Sequence, residues 1–474
     1  MLSIDRAAIA KRLRLDNPWW AGQFDDVAKS YPRRAYYAPL SKLLRQPVQR
    51  AVVLLGARRV GKTTLLRQLI AEATERSDLG PVLFASVDAP VYAGLPLEQL
   101  LELFEELCPH AIDGPRLVVF DEIQYLGDWE RHLKDLVDRF PRTRFVASGS
   151  ASAALKRKST ESGAGRFTDF ELPPLTFAEF LEFSAATAEV LGVSDGAATV
   201  KDPERLAERF VEYLNVGGYP EIVRNEAIRA DMERFVRNDI VQKVLLQDLP
   251  TLYGISNVPE LNRLFTTVAY NSGQLLSPEG MAKNSGISKA TISRYLEYLE
   301  AAFLVVRMRR VDDNARRLQR ERNFKVFLTN PSMRAALFGP THDQGDSLGA
   351  LAETALVTQY LSAPFFSDLC FAHWGQGEVD LVRIDPARQR PLWAVEVKWS
   401  DRAWQSENEW TGLSNFARSN GLSTIFMTSR TSSHREMRDG LQRIVMPLPL
   451  LCYEVGRLAA SQELLHSRYD LPLG

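Results

Sequence analysis

The stretch from Ala51 to Ile70, AVVLLGARRVGKTTLLRQLI, decides the fold of the first part of the chain. Its first five residues are apolar and predict a buried strand, while the residues from Thr63 onward predict a helix. Between them, Gly56, Gly61 and Lys62 stand at the spacing G-x-x-x-x-G-K-[ST]. Glycines at these positions let the backbone curl until consecutive N–H groups point inward, which is the geometry that surrounds a phosphate.

The chemistry of this loop predicts ATP with Mg²⁺. The helix behind the loop adds free N–H groups and the positive end of its dipole. We expect Lys62 to reach the β- and γ-phosphates and the Thr63 hydroxyl to bind Mg²⁺. The alternative is an ordinary glycine-bearing turn. The residues expected to hold the nucleotide are Gly56, Ala57, Arg58, Arg59, Val60, Gly61, Lys62, Thr63 and Thr64.

An acidic pair follows the apolar run in RLVVFDEIQY, residues 116 to 125. A buried strand that ends in two acids is what a Walker-B strand requires. We expect Asp121 to hold Mg²⁺ through water and Glu122 to polarise the attacking water. If Glu122 were only structural, ATP would still bind but its turnover would not depend on this residue.

Two later segments supply further candidates for the same site. The strand RFVASGS, residues 144 to 150, closes with Ser148 and Ser150. These hydroxyls are candidates for contact with the γ-phosphate or the water, and an N-cap for the next helix is an equal alternative. Arg166 precedes the strand predicted from Phe167 to Leu172. It is expected to stabilise charge on a neighbouring subunit's γ-phosphate, and the alternative is a surface arginine beside a strand.

Length, charge and cysteine content narrow the class of protein. A chain of 474 residues is too long for one core, so two to four domains are expected. A net charge of -1 gives no global field toward nucleic acid, so any such binding needs a local patch. The three cysteines lie far apart without metal-ligand spacing, which indicates reduced thiols and a cytoplasmic location. Neither a signal peptide nor a membrane-spanning run is expected.

Residues 1–50 carry more basic than acidic side chains. This excess could meet phosphates, but the favoured interpretation is a solvated, helical lead-in that packs on the ATPase core. The pair Trp19-Trp20 is expected to anchor this arm on a partner surface.

Residues 275–306, LLSPEGMAKNSGISKATISRYLEYLEAAFLVV, have helix-turn-helix spacing and predict a winged-helix module. Ser288, Lys289, Thr291, Ser293 and Arg294 are expected to face outward from the second helix. A basic patch follows, and it could neutralise several DNA phosphates. The alternative is a lid or a protein contact. The basic residues of the patch are Arg307, Arg309, Arg310, Arg316, Arg317, Arg320, Arg322 and Lys325.

The segments GEVDLV and AVEVK near the end of the chain resemble the PD-(D/E)xK nuclease fold, although the proline of the motif is missing. Side chains alternate along a strand, so Glu396 and Lys398 share a face. Asp380 and Glu396 are expected to hold Mg²⁺ while Lys398 positions or activates water. Glu353, on the preceding helix, is a further candidate ligand. An inactive fold that only binds is the alternative.

The order of these elements resembles the AAA superfamily, most closely a bacterial and archaeal family with a C-terminal domain of unknown function. The resemblance rests on GARRVGKTT (56–64), VVFDEIQ (118–124), SGS (148–150), GRF with LPPLTFAEF (165–180) and GGYPEIV (217–223). It implies ATP at residues 56–64, Mg²⁺ and water at Asp121 and Glu122, a γ-phosphate sensor at Ser148 or Ser150, and a finger at Arg166. It also implies a homo-oligomeric ring, expected to be a hexamer. GGYPE has no derivable chemistry and is expected to form a tight turn.

The predicted fold class is α/β: an AAA-type ATPase with a parallel sheet, then a winged helix and a restriction-endonuclease-like domain. The expected domains are a basic arm (1–50), the ATPase core (51–180), a helical lid (181–255), the winged helix (256–335) and the nuclease-like domain (345–474). The predicted function is an ATP-driven oligomeric motor on DNA, with a C-terminal domain that binds or cleaves nucleic acid. The alternative is a nucleotide-dependent switch or scaffold with an inactive C-terminal domain. DNA or RNA, subunit number and pathway stay open.

Overall fold

The structure is a computed structural model that describes residues 6–23, 26–108, 114–149, 165–194, 197–315, 323–343, 348–361, 363, 365–375 and 377–461. Contacts divide the chain into two compact units. The first unit contains Met1–Leu172 with Ala301–Phe303, and the second contains Pro173–Glu300 with Leu304–Gly474. Across the described residues, no helix is long and apolar enough to cross a membrane.

The first unit is built on a five-stranded parallel sheet in the order β2-β3-β4-β1-β5, which confirms the predicted parallel sheet. Its strands are β1 (Ala51–Leu55), β2 (Val82–Ser86), β3 (Arg116–Asp121), β4 (Thr143–Gly149) and β5 (Phe167–Glu171). Its helices are α1 (Arg6–Asp16), α2 (Asp26–Ser30), α3 (Tyr37–Leu44), α4 (Lys62–Arg76), α5 (Leu97–Leu107) and α6 (Trp129–Arg139).

Burial on both faces explains why the central strands are apolar along their whole length. Every residue of β1 and β3 is buried, as expected for a parallel sheet covered on both sides. The register pairs Leu54 with Ser148 and Ser86 with Asp121. Because all strands are parallel, their carboxyl ends meet at one edge, and this edge carries the acidic and hydroxyl side chains.

The N-terminal arm covers the exposed edge of β2. Asn17 acts like a strand partner, since its Nδ2 donates to Phe84 O at 2.8 Å and its Oδ1 accepts from Phe84 N at 2.6 Å. The indole N–H groups of Trp19 and Trp20 both donate to Val82 O, at 3.0 and 2.8 Å. The two tryptophans therefore anchor the arm on this sheet, as the packing interpretation of residues 1–50 requires.

The second unit holds a nine-stranded mixed sheet and a separate two-stranded hairpin. Its strands are β6 (Leu191–Ser194), β7 (Ala197–Val200), β8 (Leu275–Leu276), β9 (Val305–Val311), β10 (Phe324–Leu328), β11 (Leu369–Trp374), β12 (Gly377–Asp385), β13 (Arg390–Glu396), β14 (Thr424–Ser429), β15 (His434–Arg438) and β16 (Leu441–Pro447). Its first helices are α7 (Phe177–Phe183), α8 (Thr187–Val190), α9 (Pro203–Val216), α10 (Pro220–Arg224), α11 (Glu226–Ala230) and α12 (Met232–Arg234), followed by π-helical turns at Phe235–Gln242 and Val244–Asp248. The remaining helices are α13 (Leu249–Tyr253), α14 (Val258–Tyr270), α15 (Pro278–Ser285), α16 (Lys289–Ala301), α17 (Ser332–Phe338), α18 (Leu348–Gln359), α19 (Glu407–Asn420) and α20 (Leu448–Ser461).

The large sheet contains strands from two parts of the chain that the sequence analysis assigns to different domains. Its order is β15-β16-β14-β13-β12-β11-β9-β10-β8, so the hairpin β9–β10 continues directly into β11 to β16, the strands that the sequence predicts to be nuclease-like. The link is β11, which pairs in parallel with β9 between Cys370–Ala372 and Arg309–Val311. The boundary drawn near residue 340 from sequence therefore falls inside one continuous sheet.

Helices from the expected lid pack within the second unit. The backbone N–H of Phe177 donates to Gln359 Oε1 at 2.9 Å, and Gln359 Nε2 donates to the Tyr213 hydroxyl at 3.1 Å. A Cβ on Gly456 would lie 2.7 Å from Cβ of Thr176, so α20 approaches the start of α7 too closely for any side chain there. These helices share one apolar core with α18 and α20.

The GGYPE segment, residues 217–221, has a structural explanation that its sequence does not supply. Gly218 has φ +89, and a Cβ there would lie 2.2 Å from Nδ2 of Asn330. A Cβ on Gly217 would lie 2.2 Å from the ring of Tyr213. Asn330 is fully buried, and its Oδ1 accepts from the N–H and hydroxyl of Ser332. The two glycines are therefore needed for close packing against Asn330 and Tyr213.

Candidate functional site

The loop between β1 and α4 has the backbone that its glycines predict. Gly61 has φ +97, in the region that favours glycine, and α4 begins directly after it at Lys62. A Cβ on Gly56 would lie 2.4 Å from Leu172 O, so only glycine fits where the loop leaves β1. The loop and the helix N-terminus therefore have the form of an anion cradle.

Lys62 is folded back into the loop. Its Nζ donates to Gly56 O at 2.9 Å and to Ala57 O at 2.8 Å, and the side chain is buried. Arg34 of the N-terminal arm also contacts the loop, since its Nη1 donates to Val60 O at 2.7 Å. Sequence reasoning did not single out Arg34, because only the tertiary fold brings it beside the loop.

The predicted Mg²⁺ ligands are in direct contact. Thr63 Oγ1 donates to Asp121 Oδ2 at 2.7 Å, and Ser148 Oγ donates to the other oxygen of the same carboxylate. Asp121 and Ser148 are buried at the ends of neighbouring strands. The structure thus brings together the two expected Mg²⁺ ligands, Thr63 and Asp121, and the candidate γ-phosphate sensor Ser148.

Glu122 follows Asp121 in a left-handed conformation, with φ +54. Its N–H donates to Ser148 Oγ at 3.3 Å, and its carboxylate accepts a hydrogen bond from Gln124 Nε2. Burial raises the pKa of Glu122 above its ordinary value, the charge on Lys62 opposes that shift, and Asp121 adds to it. A carboxylate with a raised pKa is a better acceptor for a proton from water.

Other predicted site residues stand at the margin of this group. Arg166 lies next to the edge strand β5 and pairs with Asp138 of the same chain. Arg58 Nη2 donates to the hydroxyl of Tyr125, which is half exposed, at 3.0 Å. Ser150 lies outside the described residues.

A cavity of about 360 Å³ opens beside the metal-ligand candidates, with Thr63 and Asp121 in its wall. Ser86 and Asp88, at the end of β2, also line it, and Ser86 Oγ donates to Asp88 Oδ1 at 2.6 Å. Arg12 of α1 forms part of the same wall. Space and polar groups therefore adjoin the predicted metal site.

The helix-turn-helix candidates lie in the second unit. The turn between α15 and α16 contains Gly286 with φ +74, and Ser288 Oγ accepts from the Thr291 N–H at 3.2 Å. The side chains of Ser288, Lys289 and Arg294 are exposed, and those of Thr291 and Ser293 are half-buried. Lys289 forms an ion pair with Glu279. Three of the five residues predicted to face outward are therefore exposed.

The basic patch expected after this helix is divided in the structure. Arg307 pairs with Glu300, and Arg310 Nε donates to His373 O at 2.9 Å. Arg309 is exposed. Lys325 is buried and does not belong to a surface patch, because its ammonium group lies among carboxylates. The remaining members, Arg316, Arg317, Arg320 and Arg322, lie outside the described residues.

The predicted nuclease-like residues meet at one end of β12 and β13. Asp380 Oδ2 accepts from Val397 N at 2.8 Å, and Lys398 Nζ lies 3.2 Å from Glu396 Oε1 and 2.9 Å from Glu409 Oε2. Glu396 Oε2 is buried without a hydrogen-bond partner among the described residues. Burial raises the pKa of Glu396 well above its ordinary value, and the charge of Asp380 raises it further.

Glu353 joins the same cluster from α18. Its Oε1 lies 2.8 Å from Nζ of Lys325, which also lies 2.7 Å from Glu378 Oε1 and 3.4 Å from Asp380 Oδ1. Burial, reinforced by Asp380, raises the pKa of Glu353 to about 8. Burial would lower the pKa of Lys325, but the surrounding carboxylates raise it above its ordinary value. The sequence does not place Lys325 at this site, because no motif relates the lysine of FKVFL to these acidic residues by a fixed spacing.

Two family profiles match this sequence. The first, AAA domain, covers residues 48–181, and the second, Domain of unknown function (DUF8612), covers residues 207–344. Neither match extends past residue 344, where the nuclease-like segment was expected to begin.

The chain is also similar to curated proteins and to solved structures. An uncharacterized protein of Haemophilus influenzae is 24% identical over 60% of this chain and 69% of its own length. An uncharacterized protein of Methanocaldococcus jannaschii is 26% identical over 53% of this chain, which spans only 55% of that relative. The Hsp104-ADP complex of S. cerevisiae matches 60% of this chain and 41% of its own, with 15% identity and a TM-score of 0.30.

The phosphate loop, the acidic pair and the parallel sheet all lie within the first matched segment. Helices α15 and α16, which the sequence predicts to form a helix-turn-helix, lie within the second. The chain therefore carries an AAA domain at residues 48–181, followed by a domain of unknown function.

Proposed function

We propose that this protein is an ATP-hydrolysing, oligomeric motor that acts on DNA, with a C-terminal module that binds or cleaves nucleic acid. The observation that carries the proposal is the group formed by Lys62, Thr63, Asp121 and Ser148 at the carboxyl edge of the parallel sheet. A phosphate cradle, a hydroxyl, a carboxylate and a half-buried glutamate at one place are the parts that ATP hydrolysis requires.

The donor set fits Mg²⁺, which prefers hydroxyl, carboxylate and water oxygens. Thr63 Oγ1 and Asp121 Oδ2 share a hydrogen bond at 2.7 Å, so both face one point between the loop and β3. Mg²⁺ bound with ATP would neutralise charge on the phosphate oxygens. Lys62 would exchange its two carbonyl partners for phosphate, because an ammonium group binds a charged oxygen more strongly than a neutral one.

Glu122 is the proposed base for the attacking water. Its raised pKa favours proton acceptance, and Gln124 holds its carboxylate in place. Ser148 contacts both Asp121 and the N–H of Glu122, so it orients the acidic pair. Any contact of Ser148 or Ser150 with the γ-phosphate belongs to the same proposal.

Arg166 is the proposed finger that acts on a neighbouring subunit. It stands beside an edge strand and is paired with Asp138, so it would have to leave this partner to reach a phosphate. A phosphate with two or more negative charges is a stronger partner than a half-exposed carboxylate. This role requires the proposed ring.

DNA contact is proposed for the outward face of α16. Lys289 and Arg294 are exposed on its first two turns and Ser288 is exposed directly before it, in the part of a recognition helix that meets base edges and phosphates. The partners of Arg307 and Arg310 limit the patch, so fewer phosphate contacts are expected than the count of basic residues suggests.

A second candidate function is favoured by one observation. The ammonium group of Lys325 already neutralises the carboxylates at the nuclease-like site. This supports a nucleotide-dependent switch or scaffold whose C-terminal module binds without cutting.

The deciding experiment measures ATP turnover by the full chain with no DNA and with duplex, single-stranded and branched DNA. Stimulation that falls steeply with salt is expected for a motor on DNA, because phosphate contacts release counterions. Turnover that no DNA form changes would favour the switch. An absence of turnover under all conditions would contradict both candidates.

A further inference from the structure

Lys325 meets three carboxylates that come from two different elements. Its Nζ lies 2.8 Å from Glu353 on α18, and 2.7 and 3.4 Å from Glu378 and Asp380 on β12. The ammonium group also lies 5.4 Å from the ring centroid of Phe371. One cation is therefore shared by a helix and a strand that the nuclease-like motif also uses.

The position of Lys325 is fixed by burial. The residue is only 3% exposed, so its ammonium group cannot move away from the carboxylates into water unless β10 moves with it. Of its partners, Glu353 is also buried, and leaving this carboxylate without its cation is strongly unfavourable. The contact is therefore part of the fold and not a chance surface pair.

An ammonium group and a divalent metal ion compete for the same carboxylates. Both are cations that need ionised oxygens directed at one point, and Mg²⁺ and Mn²⁺ need several of them at short distance. Within the described ranges, no group of three or more Asp, Glu, His or Cys side chains is arranged to hold a metal ion. Glu353 and Asp380 instead point at Lys325.

We propose that Lys325 is a built-in counter-cation that competes with a divalent metal ion for Glu353 and Asp380, and so holds the C-terminal module in a form that does not cut nucleic acid. The proposal rests on the proposed assignment of these carboxylates as a Mg²⁺ site. Lys325 lies on β10, which pairs with β8 and β9. Metal-dependent cleavage would require β10 to withdraw its ammonium group.

The test is Mn²⁺ binding to the nucleotide-free full chain, followed by the electron paramagnetic resonance of free Mn²⁺. Lys325→Met removes the charge with little change in length. Lys289→Met removes one lysine from an exposed ion pair of the same unit, and it controls for the overall loss of charge. We expect Lys325→Met to gain a Mn²⁺ site at least about tenfold tighter than any in wild type. Lys289→Met should gain none, and adding Asp380→Asn to Lys325→Met should abolish the gain.

Stability supplies a second readout if Lys325→Met folds poorly. Mn²⁺ should then raise the melting temperature of that variant and not that of wild type, because the metal replaces the missing charge. Lys325→Gln, which retains a hydrogen-bond donor, is a second variant for the same measurement. Failure of both variants to gain Mn²⁺ binding, or failure of both to fold even in excess Mn²⁺, would overturn the proposal. Equal Mn²⁺ affinity in wild type and Lys325→Met would overturn it as well.

ATP turnover, measured on the same samples, separates this proposal from the proposed function. Lys325 lies outside the nucleotide-binding residues, so turnover without DNA should be unchanged in Lys325→Met. If wild type does not hydrolyse ATP, the proposed function fails while the Mn²⁺ result still decides the role of Lys325.

Discussion

At the scale of single residues, Asp121 shows how sequence features that are common on their own come together at one place in the structure. An acidic residue at a strand end is common, but here its two oxygens accept from Thr63 and Ser148, and the next residue is a half-buried glutamate with a raised pKa. Each partner comes from a different strand or loop. Binding and catalysis can therefore be separated by single substitutions.

Glu122→Gln should slow ATP turnover by about 10²- to 10⁴-fold, because the amide cannot accept a proton from the attacking water. ATP affinity should change little, since the loop and Lys62 are intact. Lys62→Ala, in contrast, should weaken nucleotide binding itself. Turnover assays and titration with a fluorescent ATP analogue distinguish the two effects, and normal hydrolysis by either variant would contradict the site assignment.

Gly218→Ala should lower the free energy of unfolding by about 2 to 5 kcal/mol. The new Cβ would meet the buried Asn330 side chain at 2.2 Å, and φ +89 is unfavourable for alanine. The matched control is Gly254→Ala, which has φ +64 but open space around it, and should cost about 1 kcal/mol. Urea unfolding of both variants measures the difference. Equal losses would mean that backbone strain alone decides.

At the scale of elements, the edge strand β2 and the strand β10 each contact residues that lie far from them in the sequence. β2 would leave unpaired backbone groups at the sheet edge, and Asn17, Trp19 and Trp20 satisfy them. Lys325, on strand β10, lies beside the carboxylate of Glu353. Neither contact follows from the local pattern of the strand itself.

Asn17→Ala should destabilise the first unit by about 2 to 4 kcal/mol, because it leaves both the N–H and the C=O of Phe84 without their buried partners. Gln46→Ala, which removes an exposed amide from the same unit, should change the stability by less than about 0.5 kcal/mol. Circular dichroism during urea unfolding measures both. A loss no larger than that of the control would show that water replaces Asn17 at the strand edge.

At the scale of the whole molecule, the chain combines two units with different chemistry. The first contains the proposed nucleotide site, and in the second the strands β8 to β10 and the strands β11 to β16 form one sheet. In the proposed oligomer, coupling between subunits would involve Arg166, whose partner in this structure is Asp138 of the same chain.

Mixing two inactive variants tests whether Arg166 acts on a neighbour. Arg166→Ala and Glu122→Gln should each have low turnover. A mixed oligomer should recover part of the activity, since a Glu122 from one variant can face an Arg166 from the other. The double variant mixed with Arg166→Ala should recover nothing. If Asp138→Asn is as inactive as Arg166→Ala and mixing restores nothing, Arg166 serves only its ion pair.

The sequence by itself determined the phosphate loop, the acidic strand end, the parallel sheet and the order of the helix-turn-helix. The loop, the acidic strand end and the two helices depend on residues a few positions apart, and the parallel sheet is indicated by the apolar runs of its central strands. Only the tertiary structure decided that Ser148 contacts Asp121, that Gly218 packs on Asn330, and that Lys325 is buried among acids and not exposed on a basic surface. Such contacts join residues far apart in the chain, and their geometry follows from how strands and helices pack, which local spacing does not encode.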